Sequence, residues 1–408
     1  MKIGMVGCGK LGLMVALTIE SKGHDVLGYD VNPKIEEYLQ KRKIPFREEY
    51  ASELLANTKM RMTSLQELVD MSDIIFMAVQ TPHAPLYEGI TRIPSIRTDF
   101  DYSYLKESVK DVNNCLKEDK VVVIISTVLP GTIDREIRPL MGPHFKLIYE
   151  PLFIAMGTVY YDYLNPEFVL VGIDEEKAAR KLEEFYKTIH NAPIFKTDIR
   201  SAEAIKVFYN TFVTMKTVLG NIYGEIAYKL GANVNDIYNA LSMATDRVIS
   251  SKYLKAGMGD GGGCHPRDNI ALSFIARKID LSFDIFDALM KAREAHTEWL
   301  VNLIVEKHKE TDLPIIILGK TFKPETDLVV GSPALLVSNI LKEKNIYHDH
   351  YDPYIDKWEL DKIKAIYFIA TKHDIFSKID YVPGSVIIDP FRYIRDQEGV
   401  KIIRIGEN

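Results

Sequence analysis

The chain has 408 residues, of which 47% are hydrophobic and 26% are charged, and its net charge is −6. This length exceeds one ordinary hydrophobic core, so we expect two or three globular domains, and the mildly acidic balance gives no sign of nucleic-acid binding. Three cysteines without paired spacing, Cys8, Cys115 and Cys264, argue against a disulfide framework and a zinc site, so no metal is expected. We find no signal-peptide pattern and no apolar run of about 18 residues, and therefore expect a cytoplasmic protein without membrane contact.

The first βα unit carries the pattern of a dinucleotide site. A buried strand over 2–6 is followed by the turn Gly7-Cys8-Gly9-Lys10-Leu11-Gly12, a helix over 13–22 and a second strand over 24–30. Gly7, Gly9 and Gly12 allow a tight turn and close approach of a pyrophosphate to the helix N-terminus.

Two further residues bear on the cofactor. Asp30 lies 18 residues after Gly12, close to the roughly 20 expected for the acid that binds the adenine ribose, which favours NAD over NADP. Lys34 either covers the adenosine or is a solvated helix residue.

The next two buried strands, over 73–79 and 121–125, both lead into threonines. Thr81 and Thr127 are candidate contacts to the nicotinamide or to a catalytic water, because ligands lie beyond the carboxyl ends of parallel strands. The alternative is turn chemistry, since Thr-Pro and Pro-Gly commonly end strands. The segment 85–100 is long for a βα loop and predicts a lid or an oligomer contact.

From about residue 199 the pattern becomes helical. A helix over 201–230 places Glu203, Lys206 and Asn210 on one face, where Lys206 and Asn210 would form an oxyanion clamp. The alternative is a solvated polar stripe, although the apolar neighbours suggest burial on all sides.

The loop from Gly257 to Asp268 predicts a nucleophile on a bare glycine loop. Arg267 beside Cys264 favours the thiolate, and Asp268 would orient water or move protons. The alternative is a small buried cysteine, because free cysteine is among the most buried residue types.

Strands alternating with helices resume after residue 311, and further motifs accompany them. These are Val79-Gln80-Thr81-Pro82, Ser126-Thr127 with Pro130-Gly131, Asp246-Arg247-Val248-Ile249, Phe322-Lys323-Pro324, Thr326-Asp327, Ser332-Pro333 and Asp352-Pro353. Together with the cysteine loop, which has the pattern Gly-x-Gly-Gly-x-Cys-x-Pro-Lys-Asp except for Arg267, they make the chain resemble the UDP-glucose/GDP-mannose dehydrogenase family over nearly its whole length.

The resemblance implies an α/β protein in three parts. They are an N-terminal Rossmann domain over 1–198, a central helical dimerisation region over 199–310 and a smaller Rossmann-like nucleotide-sugar-binding domain over 311–408. We therefore expect a homodimer, which is also the commonest oligomer.

The implied activity is an NAD-dependent, four-electron oxidation of a nucleotide sugar, most often UDP-glucose, at C6. Cys264 would form a thiohemiacetal and then a thioester, with Lys206 and Asn210 stabilising the oxyanion and Asp268 and Thr127 positioning water. The implied cofactor-binding residues are Gly7, Gly9, Gly12, Asp30, Lys34, Thr81, Thr127 and Arg267. The implied substrate-binding residues are Arg247 from the partner subunit, Tyr253, Gly261 and Lys323.

The chain departs from the family pattern where two glutamates are expected. Leu152 and Met156 stand there, and Glu150, two residues away, would substitute if it shared a strand face with Leu152. His265 beside Cys264 is either a base or a packing residue, and Val330 replaces an arginine near the cofactor phosphates. Two alternatives stay open: a two-electron or hydrolysis-impaired dehydrogenase, and a non-catalytic protein that binds NAD and a nucleotide sugar.

Overall fold

The computed structural model describes residues 1–82, 98–250, 256–259 and 264–407. It gives the backbone but not the side chain of Thr217, Asn221, Cys264, His265, Arg267, Asp268 and Ala271. The chain divides into two compact units, Met1–Lys216 and Thr217–Asn408. The predicted three-part division, with its boundaries after residues 198 and 310, stays a prediction.

Strands and helices alternate at both ends of the described chain. The strands are β1 (Lys2–Val6), β2 (Asp25–Tyr29), β3 (Arg61–Met62), β4 (Ile74–Met77), β5 (Lys120–Ile124), β6 (Phe145–Tyr149), β7 (Val169–Ile173), β8 (Ile194–Thr197), β9 (Ile315–Leu318), β10 (Asp349–Tyr351), β11 (Ile366–Ile369), β12 (Val386–Asp389) and β13 (Lys401–Arg404). The helices are α1 (Lys10–Ser21), α2 (Lys34–Lys41), α3 (Ala51–Asn57), α4 (Leu65–Met71), α5 (Ser103–Cys115), α6 (Val159–Leu164), α7 (Glu176–Tyr186), α8 (Ile199–Leu230), α9 (Val234–Ser242), α10 (Cys264–Lys278), α11 (Ile285–Thr311) and α12 (Pro333–Glu343).

The first sheet has the strand order β3-β2-β1-β4-β5-β6-β7-β8, and only the β6–β7 pair is antiparallel. Its first six strands follow the order of a Rossmann sheet, in which the chain reverses direction between β1 and β4. Buried apolar clusters cover both faces of this sheet, and for that reason β4 and β5 read as continuous apolar runs. The predicted N-terminal Rossmann fold is confirmed.

The second sheet is parallel throughout, with the order β10-β9-β11-β12-β13. This is the other common doubly wound order, and its reversal lies between β9 and β11. Separate apolar clusters pack on its two faces. The prediction of a second, smaller α/β sheet is confirmed.

Three element boundaries differ from the sequence prediction. α1 begins at Lys10, so Gly12 lies in its first turn. β6 ends at Tyr149, whereas the sequence predicts an extended segment over 147–156, because Pro151 has no N–H for the ladder and disfavours regular structure before it. α10 begins at Cys264, so this cysteine opens a helix instead of lying on a bare loop, and Pro266 is tolerated in the first turn.

The expected burial on all sides of the long helix is wrong for the single chain. Several large apolar side chains on α8 and α9 are exposed, namely Phe208, Phe212, Met215, Tyr238 and Leu241. Among the described residues, no helix is long and apolar enough to cross a bilayer.

Candidate active site

The turn after β1 is built around a carboxylate. Asp30 Oδ2 accepts a hydrogen bond from the Cys8 backbone N–H at 2.7 Å, and Oδ1 accepts one from the Asn32 N–H at 2.8 Å. Asp30 therefore lies against the glycine turn, at the end of β2 where the sequence predicts a ribose-binding acid. Lys34 opens α2 and is exposed, which is compatible with both of its interpretations.

Each glycine of the turn has a distinct reason to lack a side chain. Gly7 has φ +89°, and a Cβ there would lie 2.7 Å from the Ala78 carbonyl oxygen, at the reversal between β1 and β4. A Cβ on Gly12 would lie 1.9 Å from the Gly7 carbonyl oxygen, whereas a Cβ on Gly9 would meet no atom within 4 Å. Gly7 and Gly12 serve the packing of the turn itself, and Gly9 leaves open space in front of it.

That open space fits a dinucleotide pyrophosphate. Gly9 is the N-cap of α1, and no side chain caps the first turn of this helix. Unpaired N–H groups at a helix N-terminus are a ready anion site. NAD would be held here by the α1 amides and by Asp30.

The carboxyl ends of β4 and β5 meet, as the sequence predicts. Val6, Met77 and Ile124 are in register across β1, β4 and β5. Thr81 Oγ1 donates a hydrogen bond to the Thr127 carbonyl oxygen at 2.7 Å, which joins the two loops.

Glu203 has a role that the sequence reasoning missed. Its carboxylate is buried and accepts the Gly131 N–H at 2.5 Å and the Ile133 N–H at 2.7 Å. Glu203 thus fixes the segment that follows Thr127, while burial raises its pKa. In the sequence, only the position of Glu203 on the same helix face as Lys206 indicated a function. The two backbone amides that Glu203 binds lie 70 or more residues earlier in the chain.

Lys206 is held in a mostly apolar setting. Its Nζ donates a hydrogen bond to the Leu152 carbonyl oxygen at 2.8 Å and lies 4.9 Å from the centroid of the Phe153 ring. Burial lowers the pKa of its ammonium group, because a charge is costly to remove from water. Lys206 and Asn210 both line a cavity of about 610 Å³ in the first unit, so the structure brings this predicted pair to one site.

Glu150 lies one residue past the end of β6, so strand alternation does not place it on one face with Leu152. Both residues line one small cavity, and the substitution of Glu150 for a missing glutamate stays a prediction. The Glu150 carboxyl is buried and accepts a hydrogen bond from the Tyr186 hydroxyl, while the Met156 side chain is 53% exposed.

The surroundings of Glu150 are aromatic. Tyr163 and His190 both pack against Tyr186, and these three residues and Glu150 line a small cavity of about 30 Å³. Glu150 Oε2 and His190 Nε2 have no hydrogen-bond partner among the described residues. Burial raises the pKa of Glu150 to about 8.

The second unit carries the remaining predicted residues. Arg247 and Lys323 are exposed, and Lys323 lies on the loop after β9, beside the reversal of the second sheet. Tyr253, Gly261 and most of the 85–100 segment lie outside the described residues, as do the side chains of Cys264, Arg267 and Asp268. Cys264 itself is the first residue of the 15-residue helix α10, a position where a helix stabilises an anion.

The loop that bears Lys323 is fixed by a buried histidine. His373 Nδ1 accepts the Glu325 N–H at 3.0 Å, so the proton lies on Nε2, which faces Asp352 Oδ2 at 3.1 Å. Asp352 Oδ2 also accepts the Lys320 N–H at 2.6 Å. The sequence offered Asp352-Pro353 as a motif but gave no sign of His373.

Comparison with protein families matches most of the chain. Residues 1–190 match the NAD binding domain of the UDP-glucose/GDP-mannose dehydrogenase family, and residues 200–294 match its central domain. The chain is 28% identical to the UDP-glucose 6-dehydrogenase of Rickettsia conorii, over 99% of this chain and 98% of that protein. It is 30% identical to the UDP-glucose 6-dehydrogenase YwqF of Bacillus subtilis, over 86% of this chain and 80% of that protein.

Solved structures agree on the fold. A GDP-mannose dehydrogenase from Pseudomonas aeruginosa superposes with a TM-score of 0.88 at 22% identity, covering 98% of this chain and 99% of that one. A UDP-glucose dehydrogenase from Pyrobaculum islandicum has a TM-score of 0.54 at 26% identity, covering 99% and 96%. The predicted fold class, family and NAD cofactor are confirmed.

Proposed function

This chain belongs to the UDP-glucose/GDP-mannose dehydrogenase family, and we propose that it oxidises UDP-glucose at C6 to the uronate. Membership makes it an NAD-dependent nucleotide-sugar dehydrogenase and removes the non-catalytic alternative. The choice of UDP-glucose is supported by the relatives that match nearly the whole chain. The observation that carries the chemistry is the buried Lys206, which lines one cavity with Asn210 in the dinucleotide-binding unit.

Each protein group has a part in this scheme. NAD, when bound, accepts the hydride released in each oxidation. The C6 alcohol first loses a hydride and a proton to become the aldehyde. The Cys264 sulfur attacks this aldehyde to form a thiohemiacetal, and loss of a second hydride and a proton gives the thioester. Water then adds to the thioester carbon, the C–S bond breaks, and the carboxylate and the thiol are released.

Lys206 and Asn210 stabilise the oxygen that gains negative charge. The ammonium of Lys206 is buried and is held in place by the Leu152 carbonyl oxygen, and a preorganised donor removed from water stabilises an oxyanion more strongly than water does. Thr127 and Asp268 position the attacking water. The loop that bears Thr127 is held by Glu203 through two backbone amides.

A second candidate, a hydrolysis-impaired enzyme, is favoured by one set of observations. Leu152 and Met156 carry no carboxylate, and the Glu150 carboxyl is buried against Tyr186. Such an enzyme would complete both oxidations once and then hold the acyl group on Cys264.

The test is the yield of NADH from limiting sugar nucleotide. We expect two NADH per UDP-glucose, little NADH from UDP-N-acetylglucosamine, UDP-N-acetylmannosamine or GDP-mannose, and none with Cys264→Ala. One NADH per sugar would refute the four-electron reaction. A burst of two NADH per active site, with an acyl adduct on Cys264 in the intact mass, would establish the hydrolysis-impaired alternative. Preference for another sugar would refute the choice of UDP-glucose.

We also propose that the protein is a cytoplasmic homodimer. The exposed apolar side chains of α8 and α9 support the dimer, since large exposed apolar patches mark protein interaction sites.

A further inference from the structure

Residues 256–259, at the start of the glycine loop that leads to Cys264, pack against the second sheet. We call Ala256–Gly259 the stem, because Cys264 follows it after a short interval. Met258 packs against the apolar cluster on one face of the second sheet. A Cβ on Gly257 would lie 3.0 Å from the ring of Phe391, so this glycine allows contact with an aromatic side chain.

Gly259 makes the tightest contact of the stem. It has φ +70°, and a Cβ there would lie 2.0 Å from Pro333 Cγ. Pro333 is the first residue of α12, whose N-cap is Ser332. In the structure, the missing side chains of Gly257 and Gly259 leave room for Phe391 and Pro333.

Arg392 holds the other end of the stem. Its Nη2 donates a hydrogen bond to the Ala256 carbonyl oxygen at 2.5 Å. Its Nη1 donates to the carbonyl oxygens of Pro390 at 2.7 Å and Ile405 at 2.9 Å. One planar guanidinium therefore ties the stem to two segments of the second sheet.

The loop that carries Arg392 is itself fixed. Asp389, at the end of β12, accepts four backbone N–H groups through its two oxygens at 2.8–2.9 Å, from Phe391, Arg392, Tyr393 and Ile394. The Asp389 carboxyl is fully buried. Arg392 thus projects from a rigid support, as a residue that positions another segment requires.

We propose that Arg392, with Phe391 and Pro333, is a positioning residue for Cys264 that acts through the stem. The inference rests on the proposed function, in which Cys264 is the nucleophile. Cys264 is five positions after Gly259, so even an extended chain keeps the two Cα atoms within about 18 Å. Seating the stem limits where α10 and its first residue lie, and a misplacement of about 1 Å costs up to about a hundredfold in rate.

The principal variant is Arg392→Lys, which keeps the charge but loses the fork that reaches three carbonyls. We expect kcat to fall about ten- to hundredfold, while KM for NAD stays unchanged and KM for the sugar nucleotide changes less than kcat. Amide hydrogen exchange of the stem should become faster in the intact protein. Arg395→Lys, at an exposed arginine three residues further on, is the control and should match the wild type.

A second variant tests the contact between Gly259, at the other end of the stem, and Pro333. Gly259→Ala drives a methyl group into Pro333 and should reproduce the loss of kcat and the faster exchange. Gly231→Ala is the matched control, because Gly231 also has positive φ, at +72°, but a Cβ there meets no atom within 4 Å. It imposes the same backbone strain without moving the stem.

The outcomes separate the alternatives. Unchanged stem exchange in Arg392→Lys would overturn the anchoring, and faster exchange with an unchanged kcat would overturn the positioning role. A rise in sugar-nucleotide KM as large as the fall in kcat would assign Arg392 to direct substrate contact and overturn the proposal. If the wild type reduces no NAD with any sugar nucleotide, the proposed function fails, whereas the exchange result still decides the anchoring.

Discussion

Glu150 is buried among aromatic side chains, and the Tyr186 hydroxyl is the one group among the described residues that donates a hydrogen bond to it. Its pKa of about 8 in the folded protein compares with about 4.3 in an unfolded chain. Below the unfolded value both states are protonated and the protein has its full stability. Between about pH 4.3 and 8 the unfolded state releases its proton and the folded state does not, so the free energy of unfolding falls by up to about 1.4 kcal/mol per pH unit.

Glu150→Gln should remove this loss. The amide keeps an acceptor for the Tyr186 hydroxyl but has no proton to release, so we expect the variant to be more stable than the wild type at pH 8. A gain of 1 kcal/mol corresponds to about 2–4 °C in Tm for a unit of this size. The measurement is Tm from pH 5 to pH 8, where the two curves should diverge as pH rises.

Glu184→Gln provides the comparison, because Glu184 lies two residues before Tyr186 on the same helix but is exposed. Its Tm profile should run parallel to that of the wild type. A parallel profile for Glu150→Gln as well would mean that the Glu150 carboxyl is ionised in the folded protein.

The sequence predicted correctly which of some residues lie together, while their roles in catalysis and binding stay predictions. Helical spacing places Lys206 with Asn210, and the common edge of parallel strands places Thr81 with Thr127. The contacts of Glu150, Glu203 and Arg392 were not predicted, since each has a partner 36 or more residues away. No local pattern encodes such a pairing.

The turn between β1 and α1 allows a comparison of two glycines within one element. A Cβ at Gly12 would collide with the Gly7 carbonyl oxygen, whereas one at Gly9 would enter open space. If that space receives the pyrophosphate, the two positions should respond differently to the same added methyl group.

We expect Gly9→Ala to keep the wild-type Tm and to raise KM for NAD at least about tenfold, because the methyl group occupies ligand space and shields the α1 amides. Gly12→Ala should lower Tm and raise KM for NAD, since the turn itself must move. The measurements are Tm without cofactor and KM for NAD at saturating sugar nucleotide. A Gly9→Ala enzyme with wild-type KM would show that NAD does not use this space.

The ends of secondary-structure elements were predicted well for strands such as β1. They were predicted poorly where a glycine or a proline lies near the end of the element. β1 was predicted to the residue, because five consecutive residues of a buried parallel strand have a simple signature. α1 begins before its first apolar run, and α10 begins inside a motif that looks like a loop. In both cases glycines next to a helix start were interpreted as part of an irregular segment.

Large apolar side chains on α8 and α9 are exposed to solvent in the single chain. Met215 on α8 and Tyr238 on α9 are 56% and 68% exposed. We expect sedimentation equilibrium to give twice the chain mass of 46.5 kDa. Met215→Asp and Tyr238→Asp should shift the equilibrium towards the monomer, since a charge buried at an apolar interface is costly.

Tyr347→Asp is the control for this experiment, because Tyr347 is 84% exposed but lies in the second α/β sheet region, away from α8 and α9 in sequence. It should leave the dimer intact. A monomeric wild type at micromolar concentration would refute the interface, and the exposed side chains would then need another explanation.

The contact between Gly259 and Pro333 also constrains how relatives of this chain diverge. A side chain at 259 is incompatible with a proline ring at 333, whereas a glycine at 259 leaves position 333 free to vary. An alignment of homologues should therefore show a non-glycine residue at 259 only where the proline at 333 is also lost. Such linked changes would trace the seating of the stem through evolution.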